Sequence, residues 1–337
     1  MQRRISRLAV SLALLALLVI ASSISGCLWW KPAAPEPPEL APPVYQQREW
    51  LFNGSNAREL VAEQCAFGYR IPGTPNNTRC AQWIFEMLEK CNFAAEWQNF
   101  NGGAGYLNNT PLHNVIGTKR GTTNATLVLA AHYDTRPWAD ANASHYPIKP
   151  YDSSMPPVMG ANDGASGVAV LLELARVLSN QNFTITIKMM FFDAEDSGGH
   201  EQGLDWCLGS SYAAAPAQLS EEEIKNINKC GFILLDMVGD CNLSLPRERN
   251  SNKTLQDNIW NIAAAANVSQ FKNISGGAIL DDHIPFLRRG VKAVDIIHYP
   301  FPPTWHTTRD TIKNVSPESL GAVGTVMERT IYLMDAQ

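Results

Sequence analysis

An α/β domain with a mixed, mostly parallel open sheet and helices on both faces is the fold class this sequence predicts. Three observations predict it. First, four runs rich in Val, Ile, Leu and Phe recur along the chain: TLVLAAHYDT (126–135), TITIKMMFFDAED (184–196), GFILLDMVGD (231–240) and KAVDIIHYP (292–300). Continuous apolar runs of this length are the signature of strands buried on both faces. Second, helical patterns fill the gaps between them, and strands alternating with helices imply a sheet that the helices cover. Third, the chain has 337 residues, 45% of them hydrophobic, enough for one large core, and no repeat or second core divides it.

Each helix is legible from its pattern or its ends. GASGVAVLLELARVLSNQ (164–181) carries a continuous apolar face. SEEEIKNINK (220–229) opens on Ser220 with Glu223 three residues later, a capping box in which each side chain takes a backbone N–H that the helix leaves unpaired. TLQDNIWNIAAAANV (254–268) follows. SPESLGAVGTVMERTIYLM (316–334) places Ser316 as N-cap and Pro317 at the first helical position, where the missing N–H is harmless.

The N-terminal segment reads differently. MQRRISRLAVSLALLALLVIASSISGC has a basic start (Arg3, Arg4, Arg7), an apolar stretch and small residues before Cys27, the pattern of an export signal over 1–26. Ile24-Ser25-Gly26-Cys27 resembles a lipobox, in which the cysteine becomes the lipidated first residue. The alternative is an uncleaved span, against which the apolar run is short. Residues 27–44, including KPAAPEPPELAPP, form a semi-rigid proline-rich linker, leaving 45–337 as the folded domain. The expected location is extracytoplasmic, with the domain held to a membrane by its lipid anchor at the cell surface or in the periplasm, as a monomer. A net charge of −5 and the absence of any Lys/Arg block in the mature part exclude nucleic acid as a partner.

Export sets the redox context. Cys65, Cys80, Cys91, Cys207, Cys230 and Cys241 are an even set outside the cytosol, which predicts disulfides. They fall in two clusters of three, so full pairing needs a link between clusters, and the connectivity is open. No C-x2-C pair exists for a zinc cluster. N-x-S/T sequons recurring from Asn53 to Asn314 predict a glycosylated surface.

The strands end in acids and histidines. His132 and Asp134 leave the first, Asp193, Glu195 and Asp196 the second, and Asp236 the third; Asp163 precedes a helix and His306 follows the last strand. Open α/β sheets bind ligands outside the carboxyl ends of their strands, and carboxylates that repel one another there call for a cation. Imidazole with carboxylate donors and an open position favours zinc. Adjacent Glu195 and Asp196 can then divide the work, one on the metal and one on the reacting group. A single such acid is more simply a cap or a loop acid; the full set at four strand exits is what favours the metal.

LAAHYDT, GANDGASGVAVLLELAR, FFDAEDSGG, LLDMVGD and the late WHT resemble the zinc exopeptidase superfamily of co-catalytic zinc aminopeptidases, which includes the animal-type glutaminyl-peptide cyclotransferases. The resemblance runs from about residue 67 to the C-terminus. DDHIPFLRRGV (281–291) and YPFPPTWHT (299–307) resemble the cyclases in particular. That resemblance implies Asp163, Asp196 and His306 as metal ligands, Glu195 as the proton-transfer residue with Asp236 and Asp281 as its partners, and Phe301 and Trp305 as the substrate pocket. It implies one zinc ion; the aminopeptidase alternative implies two, with His132 and Asp134 serving the second metal or supporting these ligands. A non-catalytic binding protein on the same scaffold is a third alternative. Asp196 stands where vertebrate cyclases have Glu, Asp240 where they have a small apolar residue and Leu280 where they have Gln.

The implied reaction is closure of an N-terminal Gln of a peptide or protein to pyroglutamate with release of ammonia. A free α-amine has a pKa of roughly 7.7–8.0, so it is already partly neutral for the attack. His113, His145, His200 and His298 lack the metal context and are expected in surface or supporting roles, and His283 is expected to position its loop. The stretch 136–160 reads as an active-site loop.

Overall fold

The computed structural model describes residues 48–141, 154–199 and 205–336. The export signal expected at 1–26, the linker at 27–44 with Cys27, and His145 and His200 lie outside them. Two helices come first: α1 (Gly54–Ala66), capped by the Asn53 side chain, and α2 (Pro75–Lys90), capped by Thr74 with Pro75 at its first position. Strands β1 (Ala94–Asn101), β2 (Pro111–Lys119) and β3 (Thr126–His132) follow, then α3 (Ala165–Leu178), β4 (Thr186–Phe192), α4 (Leu208–Ala213), α5 (Glu221–Ile227) and β5 (Gly231–Asp236). The chain ends with β6 (Leu245–Arg247), α6 (Lys253–Ala265), β7 (Phe271–Ser275), α7 (His283–Arg288), β8 (Ala293–Ile297) and α8 (Pro317–Asp335).

The main sheet has the order β1-β2-β4-β3-β5-β8. The four predicted strands, β4, β3, β5 and β8, are mutually parallel; β2 runs antiparallel to β4 and β1 antiparallel to β2. The sheet is therefore mixed. The antiparallel pair escapes sequence reading because β1, AAEWQNFN, alternates between exposed and half-buried positions and has no apolar run. A second, two-stranded sheet pairs β6 with β7.

Alternate residues of the central strands enter separate cores, which is why their sequences are apolar without a break. Leu127, Leu129, Met189, Phe191, Ile233 and Leu235 pack with α1, α2, α3 and α8 on one face. Val128, Ala130, Met190, Phe192, Phe232 and Leu234 meet Ile224, Ile227 and Phe286 on the other. Every residue of α3 except Arg176 is buried, as expected of a helix apolar all round. The predicted capping box of α5 is present, with Ser220 Oγ accepting from Glu223 N and the Glu223 carboxylate from Ser220 N.

The disulfide prediction is corrected: all six cysteines are free thiols. Cys80, Cys91 and Cys207 are buried as small apolar residues, and burial raises their pKa values, that of Cys80 to about 12. Free cysteine packs as a small hydrophobe in this way.

Candidate active site

Because β3, β4, β5 and β8 are parallel, their carboxyl ends share one rim, and each exit turns sharply there. Seven described non-glycine residues have positive φ; three are Asn, and the other four are Ala194, Cys207, Met237 and His306. Asn tolerates that conformation, whereas the others cost of order 1–3 kcal/mol each and persist where surrounding structure holds them. All four lie next to or within the site described below. Gly164, at φ +92, is required: a Cβ there would meet Asp134 O at 2.8 Å.

Asp163, Asp196 and His306 converge, with one donor atom from each within 4.8 Å of the others. His306 Nε2 lies 3.2 Å from Asp196 Oδ1 and 3.7 Å from Asp163 Oδ2. Asp163 Oδ2 is buried without a hydrogen-bond partner, which in a folded protein calls for an unseen partner such as an ion. Two carboxylates and one imidazole suit zinc, so the residues fit the ion. His132, Asp163 and Asp236 form a second such group: His132 Nε2 is 3.2 Å from Asp163 Oδ1 and from Asp236 Oδ1.

The backbone that presents these groups is itself anchored. Asp134 accepts hydrogen bonds from the backbone N–H of Glu195 (3.0 Å) and of Asp196 (3.1 Å), and its Oδ1 is 3.3 Å from His132 Nδ1. Asp310 accepts from the N–H of Asn162 (2.8 Å) and Asp163 (3.0 Å). Arg136, fully buried, donates from Nη1 to Asp196 Oδ1 (3.0 Å) and from Nε to Asp140 Oδ1 (2.9 Å). Asp140 Oδ1 in turn lies 3.2 Å from His306 Nδ1. That approach is a charge contact, since His306 Nδ1 has no aligned hydrogen-bond partner among the described residues.

Electrostatics separates the neighbours Glu195 and Asp196. Burial raises both, but the His306 and Arg136 charges outweigh it at Asp196 and hold that carboxyl below its usual range. Glu195 is pushed well above its usual value, by burial first and then by Asp281 and Asp282, against the pull of His132. Asp281 rises for the same reasons, burial followed by Asp236 and Asp282. Glu195 Oε1 accepts from Cys207 Sγ at 3.2 Å. A donor atom from each of Glu195, Cys207 and Asp281 fits within 4.8 Å of the others.

These groups open onto a cavity of about 260 Å³ lined by Asp163, Glu195, Asp196, Asp236, Asp281 and His306, with apolar walls that include Phe301, Trp305 and Trp206. Phe301 and Trp305 rings pack at 4.6 Å, and Trp206 stacks parallel to His306 at 6.0 Å. That volume is below the usual 300–1,000 Å³ of pockets for drug-sized ligands and suits one side chain with its amine.

The structure thus brings together all eight residues placed on metal, proton transfer and pocket, with His132 and Asp134 beside them. Asp193 departs from the rim: its carboxylate accepts from Asn77 Nδ2 (2.8 Å) and His113 N (3.1 Å). His283 is buried, 3.4 Å from Glu248 Oε2, and its donors come near those of Asp281 and Asp295. His113 is half-buried with Nδ1 on Asn99, whereas His298 is buried. Arg136 and Asp140 fall in the stretch 136–160 read as an active-site loop, of which 142–153 lie outside the described residues, but without assigned roles, and sequence reasoning missed Trp206, Cys207 and Asp310 at the site. The spacing of Arg136 and Asp140 by four residues inside an apolar-flanked loop was the one available signal.

A mixed sheet with acids, histidines and a shielded cavity at its carboxyl rim defines a zinc-exopeptidase-like enzyme fold. Peptidase family M28 matches residues 114–331, and the chain belongs to that family. Among solved structures, a leucine aminopeptidase precursor from Bacteroides thetaiotaomicron is 32% identical with a TM-score of 0.76, covering 85% of this chain and 98% of that one. A glutaminyl cyclase from the same organism, solved with N-acetylhistamine bound, is 32% identical with a TM-score of 0.75, covering 85% and 99%. The glutaminyl-peptide cyclotransferase of Gloydius blomhoffii is 27% identical over 292 residues, 77% of this chain and 76% of that protein.

Proposed function

We propose that this protein is a glutaminyl-peptide cyclotransferase that closes the N-terminal Gln of peptides or proteins to pyroglutamate and releases ammonia. One observation carries the reading: the buried acids Glu195 and Asp281 bring carboxylate oxygens within 4.8 Å of each other in the lining of a cavity sized for one side chain, beside a separate metal-binding pole. Its likeness to glutaminyl cyclases over most of the chain supports it.

Asp163, Asp196 and His306 would hold one zinc ion, which when bound supplies Lewis acidity to a carbonyl oxygen and stabilises negative charge there. The α-amine nitrogen of the substrate bonds to its own γ-carbon as the bond from that carbon to the amide nitrogen breaks. Glu195 takes the proton that the attacking nitrogen loses and returns it to the departing nitrogen, so no proton is gained or lost overall. A carboxyl raised by burial is matched to that task near neutral pH. Asp281, whose carboxylate comes within 4.8 Å of that of Glu195, shares the proton with it, and Asp236 lines the cavity beside them. Phe301, Trp305 and Trp206 exclude water and keep the side chain folded back on its amine.

The experiment is ammonia release from a peptide beginning with Gln. Release without cleavage of any peptide bond supports the reading, and liberation of leucine from a leucine anilide in its place overturns it. The convergence of His132, Asp163 and Asp236 favours the second reading, a two-zinc aminopeptidase. Metal analysis separates the two, since one ion per chain goes with the cyclase and two with the hydrolase. The N-terminal pattern supports export and a lipid anchor at Cys27, and the recurring sequons support a glycosylated exterior, for an enzyme that acts on peptide N-termini outside the cytosol.

A further inference from the structure

Arg136 and Asp140 are both fully buried, touch two ligands of the metal pole and have no place in the chemistry above. The guanidinium spends its fork on defined acceptors. Nε and Nη2 grip the two oxygens of Asp140 at 2.9 and 2.5 Å, while Nη1 donates to Asp196 Oδ1 and to the Asp196 carbonyl, both at 3.0 Å. Gly198 O lies 3.4 Å from Nη1 and Nη2. The Trp206 ring covers the guanidinium at 4.5 Å. Asp140 then reaches His306 from the side opposite the pole, 3.2 Å from Nδ1, and the neighbouring Ala141 N donates to His306 O at 3.1 Å. Two ligands more than a hundred residues apart in sequence are thereby tied to one ion pair.

We propose that Arg136 and Asp140 form a positioning pair that sets how tightly the Asp163, Asp196 and His306 pole retains its metal. The guanidinium aims the Asp196 carboxylate and the Asp140 carboxylate aims the His306 ring, so both donors are in place before the ion arrives. The inference rests on the reading of this pole as a zinc site and is independent of which reaction the enzyme performs. Groups that orient ligands in this way typically change metal affinity by about 10–100-fold when removed. Lysine cannot replace Arg136, because an ammonium lacks the planar fork that spans Asp196 and Asp140 together.

Zinc affinity is measured on the full chain by competition with a chromophoric chelator, with circular dichroism reporting the fold. Asp140→Asn and Arg136→Lys should each weaken zinc binding by about 10–100-fold. Removing one member of a buried pair leaves the other charge uncompensated and can unfold the chain, whereas replacing both with apolar residues of similar volume is often neutral. Arg136→Met/Asp140→Leu is therefore the deciding variant: it should fold and still lose about 10–100-fold in zinc affinity. A folded double variant that binds zinc within about twofold of the wild type overturns the proposal. So does failure of all three variants to fold with zinc in excess, because the pair would then serve the fold alone. Ammonia release is not part of the readout, so a failed cyclase assay leaves this test standing.

Discussion

Two buried acid clusters sit side by side at the sheet's carboxyl rim and are treated oppositely. Asp196 and Asp140 are held below the usual carboxylate range although burial works against both, because Arg136 and His306 lie among them. Glu195 and Asp281 have no such cation in contact among the described residues and are pushed well up. Burial is common to all four, so the placement of one guanidinium and one imidazole makes the difference. The adjacent carboxylates of Glu195 and Asp196 thereby become a proton carrier and a metal ligand. Paired titratable groups pushed apart by their surroundings are how one fold separates acid-base work from binding.

The sharpest way to break this comparison is to alter the proton pole alone. Glu195→Gln should lower turnover by about 10²–10⁴-fold, the usual share of general acid-base catalysis, in the ammonia assay. Next comes the group that fixes Glu195. Cys207 Sγ donates to it, and the backbone N–H groups of Cys207, Leu208 and Gly209 bond to the carbonyls of Glu195, Ala194 and Asp193. Cys207→Ala should reduce kcat by about tenfold with KM little changed, the worth of one hydrogen bond to a charged group. Cys207→Ser should restore most of the loss, and equal losses in both variants would remove the hydrogen bond from the account. Trp206→Leu keeps an apolar wall but removes the face over Arg136, and zinc affinity should fall by about 2- to 30-fold, the range of cation–π energies, in the chelator competition.

The smallest effect is on stability alone. Asp193 is pushed up to about 7, by burial first and then by the Asp134 charge. The folded state keeps that proton above the unfolded pKa of about 3.9, so this contribution is fully present below that pH and is lost as pH rises through 7. Denaturant titrations from about pH 5 to about pH 8 should show stability falling, and Asp193→Asn should flatten the fall. Asp282 and Asp310, also raised to about 7, leave a remaining slope of the same sign.

The metal pole and the proton pole were legible in the sequence because parallel strands deliver their exits to one rim, so acids ending apolar runs must meet. The Ser220 and Ser316 caps were legible because they are local. Arg136, Asp140, Cys207 and Asp310 were not, since each acts on a partner 12 to 166 residues away from a loop with no periodicity. The antiparallel β1 and β2 lie at one edge of the sheet and carry no continuous apolar signal in β1. The cysteines were misread because an even count does not by itself bring thiols together in pairs.

Zinc content per chain, measured in parallel on Glu195→Gln and Asp196→Asn, tests the division of labour most directly. Glu195→Gln should retain the wild-type zinc content and Asp196→Asn should lose it. Equal zinc content in the two variants, whether retained or lost, would contradict the assignment of these neighbouring carboxylates to different tasks.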